Sequence, residues 1–132
     1  LLETLLEKDY TPIISTVGLD SKYNAFNINA DDVATGVARA LKASKLVFLT
    51  DIEGVLRNPS DPSTRISVIN TESAAELFEQ GIITGGMIPK LKNCLEAVQE
   101  DVKKVHILDG RLEHSLLIEI FTTSGVGTEI KK

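Results

Sequence analysis

The chain has 132 residues, a net charge of −5, one cysteine and 25% charged residues. This length predicts one domain, and the ordinary balance of apolar and charged residues excludes a disordered or collagen-like chain. No apolar run approaches the roughly 18 residues that cross a bilayer, so we expect no membrane partner. We see no secretory leader, and the acidic balance argues against nucleic acid as a partner. Because the lone Cys94 has no intramolecular disulfide partner, we expect a reducing, cytoplasmic environment.

The first half of the chain alternates between helical and strand patterns. We predict a helix over residues 1–8, a strand over 10–17, a loop or hairpin over 20–27, a helix over 29–43 and a strand over 46–49. Asn29 or Asp31 begins the second helix, because both residue types cap helix N-termini. The uninterrupted apolar run at 46–49 is typical of a buried parallel strand.

The second half continues the alternation after a turn-rich segment at 51–62. We predict strands over 66–69, 105–108 and 127–130, and helices over 71–80, 87–99 and 111–121. Ser73 and Glu76 have capping-box spacing, Gly81 ends that helix, and Pro89 fits the first turn of the next one. The order favours an α/β fold, an open and mainly parallel sheet covered on both faces by helices.

Ligands in such sheets bind beyond the carboxyl ends of the strands, so the junctions between strands and helices are the places to look for a site. At residues 27–32, two asparagines and two aspartates crowd a helix start. One capping residue would suffice there, and the excess favours a binding role, since asparagine both donates and accepts hydrogen bonds. At 49–56, an apolar strand ends in Thr50 and Asp51 before Gly54. This is either a simple strand exit or a place where Asp51 accepts hydrogen bonds from a ribose.

The third junction, at residues 81–90, places three glycines before a helix whose first turn contains Lys90. A cation there opposes the helix dipole, and a bound anion would remove that conflict. The alternative is an exposed lysine beside a flexible turn. The spacing matches neither a P-loop nor a Gly-x-Gly-x-x-Gly fingerprint. His106 lies in an apolar strand and is interpreted as a core or interface residue, while His114 and Cys94 lack partners at metal-ligand spacing.

Four segments together resemble the amino-acid kinases, and among them the members that phosphorylate N-acetyl-L-glutamate. They are Asn-Ile-Asn-Ala-Asp at 27–31, Leu-Thr-Asp-Ile-Glu-Gly-Val-Leu at 49–56, Gly-Ile-Ile-Thr-Gly-Gly-Met-Ile-Pro-Lys at 81–90, and a tail with His-Ile-Leu-Asp-Gly-Arg at 106–111, His-Ser-Leu-Leu-Ile-Glu-Ile-Phe-Thr at 114–122 and Gly-Val-Gly-Thr at 125–128. The resemblance covers essentially the whole chain, and it implies a three-layer αβα fold of the amino-acid-kinase type.

The resemblance also implies ATP and Mg²⁺ as cofactors, and transfer of a phosphoryl group to the side-chain carboxylate of N-acetyl-L-glutamate in arginine biosynthesis. It assigns substrate binding to Asn27 and Asn29, organisation of the catalytic lysines to Asp31, and stabilisation of the transferred phosphoryl group to Lys90. The positions that it assigns to the ATP site are Asp51, Ile52, Glu53, Gly54, Val55, Leu56, Ile82, Ile83 and Thr84.

The family's N-terminal half, which carries a phosphate loop, a second catalytic lysine and a substrate-binding arginine, has no counterpart here. Residues 1–132 therefore resemble the C-terminal, ATP-binding half alone, and we expect this half to be inactive by itself. His114, Glu119 and Gly127 resemble part of the arginine effector site of arginine-inhibited members. The resemblance further implies a homo-oligomeric parent.

Two alternatives remain at this point. The chain belongs either to another amino-acid kinase, acting on aspartate, glutamate, carbamate or a nucleoside monophosphate, or to a noncatalytic module that binds a nucleotide or arginine.

Overall fold

A four-stranded sheet forms the centre of the molecule. The computed structural model describes residues 1–123 and 125–132. Its helices are α1 (Leu2–Glu7), α2 (Ala30–Ala40), α3 (Thr71–Glu79), α4 (Met87–Gln99) and α5 (Ser115–Phe121), and a short 3₁₀ turn covers Pro62–Thr64. Its strands are β1 (Val17–Leu19), β2 (Ala25–Asn27), β3 (Leu46–Thr50), β4 (Val68–Ile69), β5 (Val105–Asp109) and β6 (Thr128–Ile130).

The central sheet has the strand order β3-β5-β6-β4. β3 pairs with β5 in parallel, β4 pairs with β6 in parallel, and β5 pairs with β6 antiparallel. The predicted mainly parallel sheet with flanking helices is confirmed, with one antiparallel pair in its middle. α2 and α4 pack against each other, α2 contacts β3, α4 contacts β5 and β6, and α5 contacts β5.

The core lies between the sheet and these helices. Its fully buried large side chains include Ile69, Leu91, Val98, Ile107 and Ile130. Cys94 is buried among them, and burial raises the pKa of its thiol to about 12. The thiol therefore stays protonated and unreactive at neutral pH. Among the described residues, no helix combines the length and the apolar composition that a membrane-crossing helix has.

Several predicted elements differ from those observed. The strand predicted at 10–17 is wrong, since strand geometry begins only at Val17 and continues as the hairpin of β1 and β2. The last helix begins at Ser115 rather than at residue 111, because Asp109 and Arg111 form a turn after β5. Leu49 is 59% exposed instead of buried, because it points to the opposite face of β3 from the buried Leu46 and Phe48.

The capping box of α3 also differs from the predicted one. Asn70 is the N-cap: its side chain accepts a hydrogen bond from the Ser73 backbone N–H, and the Ser73 hydroxyl accepts one from the Asn70 N–H. The predicted pair of Ser73 and Glu76 was placed one turn too late. Gly81 follows the helix with a φ of +67°, as expected of a residue that ends it.

Candidate functional site

The carboxyl ends of β3 and β5 form one rim of the candidate site. The two strands are in register from Leu46 opposite Val105 to Thr50 opposite Asp109, and the Gly110 N–H donates to the Thr50 carbonyl over 2.7 Å. Parallel pairing brings the residues that follow both strands to one edge of the sheet. Ligands bind at this edge in sheets of this kind.

The loop that follows β3, residues 51–56, is anchored near its C-terminal end, at Gly54 and Val55, by contacts with Thr128 and Ile66. Gly54 has a φ of +111°, and a Cβ at this position would lie 2.7 Å from the Thr128 Oγ1. The Val55 N–H donates to that hydroxyl over 2.9 Å, and the Val55 carbonyl accepts from the Ile66 N–H over 2.8 Å. The backbone of this loop therefore lies directly against β6 and the segment before β4.

Between this loop and the start of α4 lies a pocket of about 420 Å³, which we call the rim pocket. Eight of the nine positions expected at an ATP site line it; Glu53 is not among its lining residues. The remaining lining residues are Thr50, Pro59, Gly86, Met87 and Lys90. Of these, the sequence predicts a role for Lys90 alone, although Thr50 lies in the same strand-end motif as Asp51. Gly86 and Met87 belong to the glycine-rich segment and Pro59 to the turn-rich one, so their segments carried a signal although the single positions did not.

Lys90 is the one lysine or arginine among the residues that line the rim pocket. Its Nζ donates to the Asp31 Oδ2 over 2.5 Å and lies 5.1 Å from the centre of the Phe48 ring. The two charged side chains are 18% and 30% exposed, which leaves both partly accessible to water. Asp31 thus fixes the ammonium group at the pocket wall, and the structure brings together two residues that lie 59 positions apart.

Packing of α2 against α4 places this pair. On the same faces, the Asn93 side chain donates to Asp32 over 2.8 Å. Near the far end of α2, Arg39 donates to Glu100 over 2.8 Å and to Glu96 over 3.3 Å. Contacts at both ends hold the two helices side by side, which keeps the backbones of Asp31 and Lys90 within reach of each other.

The start of α4 is only partly available to an anion. Gly86 is its N-cap and supplies no side-chain hydrogen bond. The Met87 and Ile88 N–H groups donate to the Thr84 and Gly85 carbonyls, over 3.1 and 3.2 Å. The predicted phosphate site at this helix start therefore depends mainly on the Lys90 ammonium group.

At the rim, Asp109 and Arg111 form a bidentate ion pair that the sequence did not predict. The Arg111 Nε and Nη2 donate to the two carboxylate oxygens over 2.9 and 2.8 Å. These bonds and the Arg111 backbone N–H lower the pKa of Asp109 to about 2. The same pairing raises the pKa of Arg111, with smaller contributions from Asp51 and Glu53.

Asn27 and Asn29 line a separate, open pocket of about 530 Å³, which shares no residue with the rim pocket. Asn29 is the N-cap of α2, and its Oδ1 accepts from the Asp31 and Asp32 N–H groups over 2.8 and 3.3 Å. Its side-chain NH₂ group is the part left for a ligand. Asn27 is exposed on β2 and accepts a 3.5 Å hydrogen bond from Thr16.

Glu119 and Gly127 meet at a third pocket of about 250 Å³, which also contains His106 and Glu129. His106 is buried as expected, with its Nδ1 2.8 Å from Glu119 and its Nε2 buried without a hydrogen-bond partner among the described residues. Burial raises the pKa of Glu119, but hydrogen bonds from His106 and from two backbone N–H groups outweigh it and lower that pKa below its ordinary value. His114 is exposed at the start of α5 and is not among the lining residues.

No metal site is formed by protein side chains alone in the part of the chain that the structure describes. There, no group of three or more histidine, cysteine, aspartate or glutamate side chains is arranged to hold an ion. The rim pocket contributes a single carboxylate, Asp51, which is exposed.

Comparison with known proteins finds a family whose model matches most of the chain. The amino acid kinase family matches residues 1–109. An acetylglutamate kinase from Methanosarcina acetivorans is 52% identical over 128 residues, which cover 97% of this chain and 43% of that protein. One from Campylobacter jejuni is 53% identical, with 97% and 45% covered. The chain therefore spans less than half the length of these curated relatives.

A solved structure resembles nearly the whole chain. N-acetylglutamate synthase from Neisseria gonorrhoeae, crystallised with coenzyme A and L-arginine, is 30% identical and superposes with a TM-score of 0.90. The match covers 99% of this chain and 30% of that one.

Proposed function

The chain belongs to the amino acid kinase family, and from that premise we propose that it is the ATP-binding half of an acetylglutamate kinase. The enzyme transfers a phosphoryl group from ATP to the side-chain carboxylate of N-acetyl-L-glutamate. The observation that carries the proposal is the rim pocket, in which Lys90, fixed by Asp31, faces the loop that follows β3.

The lining of the rim pocket suits a nucleotide. Its apolar side chains, among them Ile52, Leu56 and Ile82, offer a surface for a flat adenine ring. Asp51 is an acceptor for ribose hydroxyl groups, and Lys90 is a donor for phosphate oxygens. Mg²⁺ fits this donor set only as an ion held chiefly by the nucleotide's phosphates, the usual arrangement for this ion, where it neutralises phosphate charge.

The role of Lys90 follows from charge. Phosphoryl transfer depends mainly on alignment and electrostatic stabilisation, and the acceptor carboxylate and the phosphate repel each other. A cation about 4 Å from a developing charge contributes roughly 4 kcal/mol at an effective dielectric constant near 20. Asp31 would be repelled by phosphate and therefore acts through Lys90, whose ammonium group it orients.

The names of the relatives support N-acetyl-L-glutamate over the substrates of other amino-acid kinases. Asn27 and Asn29 would contact this acceptor from their own open pocket. For Asn29, only the amide NH₂ is available, because its oxygen caps α2.

Calorimetric titration of the purified chain with MgATP and with adenosine tests the nucleotide site. We expect Lys90→Ala to weaken MgATP affinity by about tenfold or more, the worth of a charge-assisted hydrogen bond, and to leave adenosine affinity unchanged. Lys92→Ala is the matched control, because Lys92 lies exposed on the same helix and its loss removes the same charge. Equal MgATP affinity of the two variants, or no binding by the wild type, would overturn the proposal.

A second candidate function, binding of an arginine effector, is favoured by the pocket at Glu119. Two carboxylates, Glu119 and Glu129, face a small cavity, and the synthase of similar structure was crystallised with L-arginine. Titration with arginine should give binding that Glu119→Gln abolishes. Arginine binding without any nucleotide binding would instead favour a noncatalytic regulatory module.

A further inference from the structure

Thr128 has a fully buried hydroxyl that contacts two other parts of the chain. It lies on β6 with a side chain that is 0% exposed. The hydroxyl accepts from the Val55 N–H over 2.9 Å and donates to the Ile66 carbonyl over 2.7 Å. Since the Ile66 N–H also donates to the Val55 carbonyl, the three residues form a closed ring of hydrogen bonds.

Gly54 is what allows this hydroxyl to reach the loop. A Cβ at position 54 would lie 2.7 Å from the Thr128 Oγ1 and 3.3 Å from the Thr128 backbone nitrogen. Any side chain at position 54 would thus push β6 and the loop apart. The close approach and the hydrogen bond depend on the same short distance between the two backbones.

The loop fixed in this way forms one wall of the rim pocket. Gly54, Val55 and Leu56 line it, whereas Thr128 does not. We propose that Thr128 is a positioning residue for nucleotide binding: its buried hydroxyl holds the backbone of residues 51–56 in the position from which they contact the nucleotide. This inference rests on the proposed function, because it assumes that the rim pocket binds ATP.

The contributions of the Thr128 hydroxyl and of its methyl group can be separated by two substitutions. Thr128→Val preserves the shape and removes the only side-chain acceptor that the structure gives the Val55 N–H, and a buried unpaired N–H shifts the loop towards water or another partner. Thr128→Ser keeps the hydroxyl and removes only a methyl group. The two variants therefore separate positioning by the hydroxyl from packing by the methyl.

The first measurement is MgATP affinity by calorimetry for the wild type and both variants. We expect Thr128→Val to weaken affinity about tenfold, the usual worth of one hydrogen bond, and Thr128→Ser to bind within about threefold of the wild type. Thr35→Val is the matched control: Thr35 is also buried, but its hydroxyl has no partner among the described residues, so affinity should stay unchanged.

The second measurement is hydrogen exchange of the Val55 amide by NMR, which needs no nucleotide. Exchange should accelerate in Thr128→Val and stay slow in Thr128→Ser and in Val102→Ala, a buried truncation that does not line the rim pocket. Unchanged affinity of Thr128→Val beside a wild type that binds MgATP would overturn the positioning role alone. Absence of binding by the wild type would overturn the proposed function, and the positioning role with it, even if exchange at Val55 responds as expected.

Discussion

At the scale of single residues, a few positions tolerate neither an added side-chain atom nor the loss of a charge without a change in local geometry. Gly54 and the pair of Asp109 and Arg111 are two such positions outside the proposed contacts with phosphate. The constraint at Gly54 does not follow from its local sequence, because Thr128 lies opposite it in space. Asp109 and Arg111, in contrast, are two residues apart and pair within one turn.

Replacing Gly54 by alanine should destabilise the fold by about 1–3 kcal/mol, because a φ of +111° strains any residue with a Cβ. The contact with Thr128 adds to this cost. Gly36→Ala is the control, since it lies within α2 and its new Cβ would meet nothing within 4 Å. That change should stabilise the chain by about 0.5–1 kcal/mol. Urea unfolding of both variants measures the difference, and equal midpoints would contradict the strain argument.

The Asp109 carboxyl should titrate with a pKa near 2, which carbon chemical shifts measured against pH can follow. A carboxyl with a lowered pKa stabilises the folded state above the unfolded-state value of about 3.9, and that stability is lost as the pH falls towards 2. Arg111→Ala should return the pKa towards its ordinary range, and Arg111→Lys should give an intermediate value. A pKa that does not move in Arg111→Ala would show that the pair does not hold the carboxylate in solution.

At the scale of elements, the starts of α2, α3 and α4 were predicted to within one residue, whereas the capping pair of α3 was not. α4 runs from Met87 to Gln99 as its periodicity predicts, and Asn29 begins α2. In α3, the start at Thr71 is as predicted, but the capping box is formed by Asn70 and Ser73 rather than by Ser73 and Glu76. The strand predicted over 10–17 failed because an apolar composition does not supply a pairing partner.

Asn29 allows a test of whether capping or binding accounts for its position. Asn29→Ala should lower stability by about 1 kcal/mol, since two N–H groups of α2 lose their acceptor. Asn29→Ser keeps a capping oxygen and should remain within a few tenths of a kcal/mol of the wild type. Thermal unfolding of the pair gives the answer, and equal losses in both variants would exclude capping as the main structural role.

At the scale of the whole molecule, the two pockets expected to hold nucleotide and acceptor are unequal. The rim pocket is formed by two separate stretches of chain, within residues 50–59 and 82–90, whereas the pocket at Asn27 and Asn29 lies on an exposed hairpin and the residues that follow it. Phe26, which lines the latter, is 52% exposed. The relatives are more than twice as long as this chain, so the two pockets need not be equally complete within it.

We predict that the 132-residue chain binds MgATP without phosphorylating N-acetyl-L-glutamate. Lys90 alone, among the residues that line the rim pocket, is available to offset the repulsion between acceptor carboxylate and phosphate. Trapping the acyl phosphate with hydroxylamine measures turnover, and MgATP binding by the same preparation serves as the control for folding. Hydroxamate formed above the background without protein would refute this prediction.

The sequence by itself determined the alternation of elements, the sheet class, the family resemblance and most of the residues that line the rim pocket. These depend on periodicity, caps and short motifs, which are local in the chain. The tertiary structure alone decided that Asp31 holds Lys90 and that the Thr128 hydroxyl reaches Val55 from 73 residues away. It also left Leu49 exposed. Such contacts arise when separate elements pack, and no local pattern specifies which side chain will lie opposite a given backbone group.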